Sequence, residues 1–251
     1  MSQSKWATIR LHKAKTDAAK NATYTKLSRA ITVAARQGEP DPDANFALRA
    51  AVQKARVAGL PNDNIERAIA RGSGLLTADD QLEALRYEGY GPGGVAVLME
   101  ILTDNRNRTA ADVRAAFNKC GGNLGETGCV GWMFQQKGVV RIDGALAEDE
   151  LFLVVADAGG DDLMVDPLGA DAICDPAHLE SLSGDLLEAG YAVSSSSLRW
   201  LPNTIVTVDE VETARQIVTL VEKLEALDDV QSVFTNFVAA DEVLELLAGM
   251  L

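Results

Sequence analysis

Residues 85–134 read LRYEGYGPGGVAVLMEILTDNRNRTAADVRAAFNKCGGNLGETGCVGWMF, and they limit what this chain can fold into more than any other stretch. Leu85–Tyr90 is a short aromatic strand. Gly91-Pro-Gly-Gly94 is a turn, because proline presets one dihedral and glycine supplies positive φ. Val95–Leu102 is a strongly apolar strand, and Asp104–Arg108 is a polar corner. Thr109–Lys119 has helical spacing, with Ala111, Val113, Ala116 and Phe117 apolar, and Gly121-Gly122 ends it. The glycines at 89, 91 and 94 formally match a dinucleotide-binding fingerprint. That fingerprint needs a helix after the glycines to receive a pyrophosphate, whereas here a β-rich apolar run follows and Pro92 sits in the loop. A tight hairpin is the better reading.

Before this stretch the periodicity is helical. Helices are predicted over Leu11–Lys20, Tyr24–Gln37, Asp43–Ala58 and from Pro61 to Arg71, with Phe46, Leu48, Val52 and Ala55 inward in the third. After it the pattern is mixed. A strand at Gly138–Asp143, a helix at Glu148–Ala158, strands at Leu163–Val165 and Ala172–Cys174, a helix at Leu179–Ala189 and a strand at Tyr191–Leu198 give the order βαββαβ of a ferredoxin-like module. A strand at Thr204–Val208, a helix at Glu210–Leu227, a strand at Val230–Val238 and a short helix at Asp241–Leu251 close the chain. The fold class is α+β: an N-terminal helical bundle, then two α+β domains, the last inserted into the middle one. The expected boundaries are 1–78, 79–134 with 203–251, and 135–202.

The formal net charge of −14 argues against a nucleic-acid partner until its distribution is read. Residues 1–78 carry 13 Lys/Arg against 6 Asp/Glu, or +7, which leaves 10 and 31 for the remainder, or −21. A basic front on an acidic body is a candidate phosphate-binding face. Lys5, Arg10, Lys13, Lys15, Lys20, Lys26 and Arg29 lie largely off the apolar stripe. Trp6 is either a buried anchor for the N-terminal arm or a stacking surface for a base. Arg106 and Arg108 stand at a helix N-terminus, where positive charge opposes the helix dipole, so an anion must lie near. That anion is either a glutamate of the body or a nucleic-acid phosphate. Tyr87 and Tyr90 read as a strand face on the core, with base stacking the alternative.

No catalytic constellation stands out: there is no nucleophile elbow, Walker loop or zincin motif. The pairs Asp161-Asp162 and Asp228-Asp229 and the run Glu148–Glu150 read as solvated faces or helix starts. Three cysteines without a Cys-x-x-Cys pair give no disulfide framework, and Cys120 and Cys129 read as small buried residues. The two histidines and the cysteines have no zinc spacing. No cofactor, metal or small-molecule substrate is expected, and the chain is expected not to be an enzyme. No apolar run is long enough for a membrane span and MSQSKWATIR has no apolar h-region, so a cytoplasmic location away from membranes is expected.

Arg86–Glu100, RYEGYGPGGVAVLME, and Thr103–Thr109, TDNRNRT, resemble the YebC/PmpR family, which includes the mitochondrial translational activator of cytochrome oxidase subunit one. Ser4–Ala7, Pro61–Ile69 and Asp228–Asn236 agree in order along the chain. The resemblance implies three domains and a regulator of gene expression. Relatives are described as binding promoter DNA, or as acting in translation at the ribosome, including relief of stalling at proline-rich stretches. The expected partner is therefore promoter DNA or ribosomal RNA, bound through Lys5, Trp6, Arg10, Lys13, Lys15, Lys20, Lys26, Arg29, Arg106 and Arg108. The sequence departs from the family where Ser2-Gln3 stand in place of the usual Gly-His. The alternative is a protein-interaction module whose acidic body binds a basic partner.

Overall fold

The computed structural model describes residues 17–74, 82–144, 147–166, 168–240 and 242–243. Its helices are α1 (Asp17–Gln37), α2 (Phe46–Val57), α3 (Asn62–Gly72), α4 (Arg106–Lys119), α5 (Glu148–Asp157), α6 (Leu179–Glu188) and α7 (Val211–Glu225). Its strands are β1 (Glu83–Tyr90), β2 (Ala96–Thr103), β3 (Asn123–Leu124), β4 (Phe134–Asp143), β5 (Asp162–Asp166), β6 (Gly169–Cys174), β7 (Val193–Pro202), β8 (Val206–Val208), β9 (Val230–Thr235) and β10 (Phe237–Ala239). This is the α+β architecture expected, with helices first and sheets after. Among the described residues, Phe134–Asn203 form one compact unit, and those up to Met133 and from Thr204 form the other.

The helical part of the larger unit is built from α1 to α3. Leu27, Ile31 and Ala35 of α1 meet Leu48, Val52 and Ala55 of α2, Leu60, and Ile65 and Ala68 of α3 in one core. The break expected at Asn21–Thr23 is absent: α1 runs unbroken from Asp17. Asn and Thr are only mildly unfavourable in a helix, and no Gly or Pro intervenes. Leu11–Thr16 of the first predicted helix lie outside the described residues. The third predicted helix starts at Phe46 because Asn45 caps it, its Oδ1 accepting from Leu48 N at 3.1 Å. Asn45 Nδ2 also donates to Ala34 O at 3.0 Å and Glu39 O at 2.9 Å, so the cap fixes the start of α2 against α1. Phe46 is half-buried under the Arg49 guanidinium, not inward as expected.

The sheet part follows from the hairpin. β1 and β2 pair antiparallel from Glu83 opposite Thr103 to Tyr90 opposite Ala96. Pro92–Gly94 form one 3₁₀ turn, with Gly93 at φ 67° and Gly94 at φ 73°. The sheet has the order β3-β1-β2-β9. Beneath it, Val113, Ala116 and Phe117 of α4 and Leu220 and Leu224 of α7 pack on Val97, Met99 and Ile101. The single strand expected over Val230–Val238 is two strands. Asn236 is buried at the break, and its Oδ1 accepts from Ala96 N at 2.8 Å. β9 therefore pairs with β2, whereas β10 pairs parallel with β8. The helix expected over Asp241–Leu251 lies outside the described residues, except for 242–243.

The smaller unit is a four-stranded sheet in the order β5-β6-β4-β7, antiparallel throughout, with α5 and α6 as its helices. This is the strand order of a ferredoxin-like βαββαβ chain. Arg141 on its sheet reaches Asp166 at 2.5 Å and Asp171 at 3.6 Å.

Gly72 and Gly184 give a paired prediction. A Cβ on Gly72 would lie 2.4 Å from Thr32 O and 2.7 Å from Ala35 Cβ, whereas one on Gly184 would meet nothing within 4 Å. Replacing helical Gly by Ala ordinarily stabilises by about 0.5–1 kcal/mol. Gly184→Ala is expected to raise the thermal midpoint, and Gly72→Ala to lower it through overpacking of about 1–3 kcal/mol. A melt in which Gly72→Ala gains stability would contradict the close α1–α3 contact.

Candidate nucleic-acid interface

The polar corner folds around one carboxylate. Thr103 ends β2, Asn105 caps α4 by accepting from Arg108 N at 3.1 Å, and Arg106 and Arg108 occupy the first helical turn. The anion that their position demands is Asp229, in the turn just before β9. Arg108 donates to Asp229 Oδ2 at 2.9 Å and to Asp104 Oδ1 at 2.7 Å. Thr109 Oγ1 donates to Asp229 Oδ2 at 2.7 Å, and Thr103 Oγ1 to the same oxygen at 3.2 Å. From the helical bundle, Arg29 donates to Asp229 Oδ1 at 2.6 Å and to Asp228 O at 2.9 Å. Lys26, one turn earlier on α1, donates to the carbonyl of Glu225 at the end of α7.

Asp229 is 6% exposed, so the reading of Asp228-Asp229 as a solvated face fails at its second residue. Burial alone would push its carboxyl pKa up. Hydrogen bonds from Arg108, Thr109 and Arg29, with the charge of Arg29, outweigh burial and hold it below the usual carboxylate range. The sequence signal for this hub was the pair of arginines set against the helix dipole; nothing in the strand around Asp229 marks it.

The ten residues expected to contact nucleic acid thus divide. Lys5, Trp6, Arg10, Lys13 and Lys15 lie outside the described residues, as does the side chain of Lys20. Lys26, Arg29 and Arg108 engage acceptors of the chain itself. Arg106 is 63% exposed, and its contact with Glu83, at 3.7 Å between two exposed side chains, is weak. Tyr87 packs on the sheet core and donates to Arg106 O at 3.1 Å, and Tyr90 donates to Cys129 O at 3.0 Å. Both tyrosines are therefore core and scaffold.

Other basic side chains come forward that spacing alone did not single out. Arg49 and Arg56 on α2, and Arg67 and Arg71 on α3, are exposed. Arg67 and Arg71 stand one turn apart on the same face. Trp132 is exposed by 69%, at the end of a loop anchored by Glu88, whose Oε2 accepts from Val130 N at 2.8 Å and Gly131 N at 2.7 Å. Burial raises the Glu88 pKa, but these backbone N–H groups and the charge of Arg86 hold it below its usual value. Cys129 and Cys174 lack the lowered pKa of a reactive thiol. Burial, then the charge of Glu88, raises the Cys129 pKa, and burial with Asp161 and Asp175 pushes Cys174 up to about 11. Among the described residues no His/Cys/Asp/Glu group could hold a metal ion, and no helix is long and apolar enough to cross a membrane.

Comparison with known proteins accounts for nearly the whole chain. Residues 4–75 match the TACO1/YebC protein N-terminal domain, and residues 82–237 match the TACO1/YebC second and third domain. A protein named probable transcriptional regulatory protein in Synechococcus sp. (strain JA-2-3B'a(2-13)) is 56% identical over 245 residues, 98% of either chain. One of the same name in Trichormus variabilis is 52% identical over 243 residues, 96% of either chain. The crystal structure of a conserved hypothetical protein from Aquifex aeolicus superposes with a TM-score of 0.86 at 40% identity, covering 94% of this chain and 97% of that one.

Asp229→Asn replaces an acceptor oxygen with a donor facing Arg29 or Arg108, and is expected to destabilise the fold by about 1–3 kcal/mol. Because the folded pKa of Asp229 is depressed, the native carboxylate contributes fully above about pH 4 and loses its contribution as pH falls through the folded value. Urea titrations should show a constant gap between wild type and variant from neutral to mildly acidic pH, narrowing below pH ~4. A gap that widens on acidification would contradict the assignment.

Proposed function

We propose that this chain, which belongs to the TACO1/YebC family, regulates gene expression by binding nucleic acid through its basic front, with no covalent chemistry of its own. Its relatives carry the name of transcriptional regulators, which supports a regulatory role. The observation that carries the binding step is the separation of charge: +7 in residues 1–78 against −21 in the remainder. Phosphate is attracted to the front and repelled by the body.

The interface consists of the basic residues of the N-terminal segment, including Lys5, Arg10, Lys13, Lys15 and Lys20, together with the exposed arginines of α2 and α3 and Arg106. Trp6 and Trp132 are its candidate stacking surfaces. Lys26, Arg29 and Arg108 serve it by holding α1 and α4 to the body. RNA is the favoured target. The outward face of α3 intersperses Arg67 and Arg71 with Asp63 and Glu66, which suits shallow backbone contact with a folded RNA better than insertion into a DNA major groove. Action at the ribosome in the cytoplasm, including relief of stalling at proline-rich stretches, is the role within that reading which the family resemblance suggests.

The test is a salt titration of binding to ribosomal RNA and promoter DNA fragments. Wild type is compared with Lys13→Ala/Lys15→Ala/Lys20→Ala and with Arg56→Ala/Arg67→Ala/Arg71→Ala. If all three side chains of a set touch phosphates, the log–log slope should become shallower by roughly 2.7 for duplex and roughly 2 for single strands. Unchanged slopes in both triple variants would remove the front segment from the mechanism. Absence of binding to either nucleic acid at low salt would overturn the proposal.

A further inference from the structure

The helical layer of the smaller unit has the opposite character to the front. Between Arg141 and Arg199 the chain has 13 Asp/Glu and no Lys or Arg. α5 turns Leu151 and Val155 inward but leaves Phe152 and Leu153 exposed by 52% and 64%. α6 buries Leu179, Leu182 and Leu186 but leaves Leu187 exposed by 55%. The two helices pack against each other. Each returns along the sheet after its own strand, and those strands, β4 and β6, are antiparallel. The helices therefore run antiparallel, so the end of α6, with Leu187, lies toward the start of α5, and Phe152 and Leu153 stand at the middle of α5. Glu148, Asp149, Glu150 and Asp157 of α5 and Asp185 and Glu188 of α6 are exposed on the same two helices.

Gly184 adds a second, independent sign. It sits inside α6, one turn before Leu187, and nothing lies within 4 Å of where its Cβ would be. Glycine is the poorest helix former after proline, and here no neighbour within the chain requires it. The open space at the Cβ position, three residues before an exposed leucine, leaves room for another molecule's side chain.

We infer that this layer docks a basic amphipathic helix of a protein partner, its apolar side on Phe152, Leu153 and Leu187 and its Lys/Arg residues on the carboxylates of the same two helices. Exposed apolar side chains rimmed by charge mark protein contacts, and two antiparallel helices offer a groove for a third. The carboxylates exclude the other occupants. Nucleic acid and anionic membranes would be repelled, and a second copy presenting the same layer would set like charges face to face. The residues of this surface are not those of the basic front, and the inference stands whether or not the front binds RNA.

The experiment uses the full chain and a labelled amphipathic peptide of about five helical turns, with Lys and Arg on one face and Leu on the other. A control peptide carries Glu in place of the basic residues. Fluorescence anisotropy should show saturable one-to-one binding of the basic peptide, weakened by salt, and none of the control. Phe152→Ser/Leu153→Ser should weaken binding by about tenfold or more, as loss of interface anchors does. Gly184→Gln fills the open space with a better helix former, so it should weaken binding while keeping or raising the thermal midpoint, which preserves the test if the double variant misfolds. Unchanged affinity in Gly184→Gln and the folded double variant would reduce the attraction to diffuse charge and overturn the inference. Failure of the peptide to bind, with concentration-dependent self-association abolished by Phe152→Ser/Leu153→Ser, would assign the layer to a second copy and overturn it equally.

Discussion

A buried carboxylate with two arginines and two threonines upon it joins segments of this protein that are far apart in sequence. Asp229 immediately precedes β9, accepts from Arg29 of the helical bundle, and accepts from Arg108 and Thr109 in the first turn of α4. Its backbone carbonyl also accepts from Leu102 N at 2.8 Å, which ties β9 to the end of β2. A carboxylate removed from water is tolerated only when its oxygens are satisfied by donors and opposed by positive charge. That condition fixes where α1 and α4 lie relative to the sheet. It also settles the arginines of the polar corner, whose placement against the helix dipole is unfavourable without an anion beside them.

The charge distribution then acquires a division of labour. Lys26 and Arg29 are drawn inward onto Glu225 and Asp229 and act as mechanical ties of the bundle to the body. Among the exposed arginines of α2 and α3, Arg67 turns to acceptors on its own helix, Asp63 O and Asn64 Oδ1. At the other extreme, the helical layer of the smaller unit carries apolar side chains among carboxylates with no basic residue in its sequence. One chain thus presents a face suited to phosphate and another suited to a cationic protein segment. In the proposed account a regulator uses both, one for the nucleic acid and one for a protein that works on it.

Much of the fold was legible because its signals are local. The glycine-rich turn after an aromatic strand called for a hairpin, and Gly93 and Gly94 take the positive φ that the turn needs. The βαββαβ order led to an antiparallel sheet of matching strand order. Misreadings arose where a distant partner decided the outcome. Asn236 breaks a strand because its side chain serves Ala96, 140 positions earlier. Asp229 looked solvated because its partners lie 200 and 121 positions away. The arginine pair of the corner did announce a missing anion, but spacing could not choose between a phosphate and a carboxylate of the body. Basic residues assigned to phosphate by their place off an apolar stripe divided for the same reason, since a stripe identifies the core of one helix and not the neighbour that packs beside it.

The central claim is that nucleic acid engages the basic bundle and leaves the acidic helical layer untouched. Hydrogen–deuterium exchange of the full chain, with and without a saturating ribosomal RNA fragment, reads both faces in one experiment. The account predicts added protection in peptides from α2, α3 and the start of α4, and no change in peptides from α5 and α6. Protection confined to α5 and α6, or none anywhere under conditions of measured binding to the front, would contradict it.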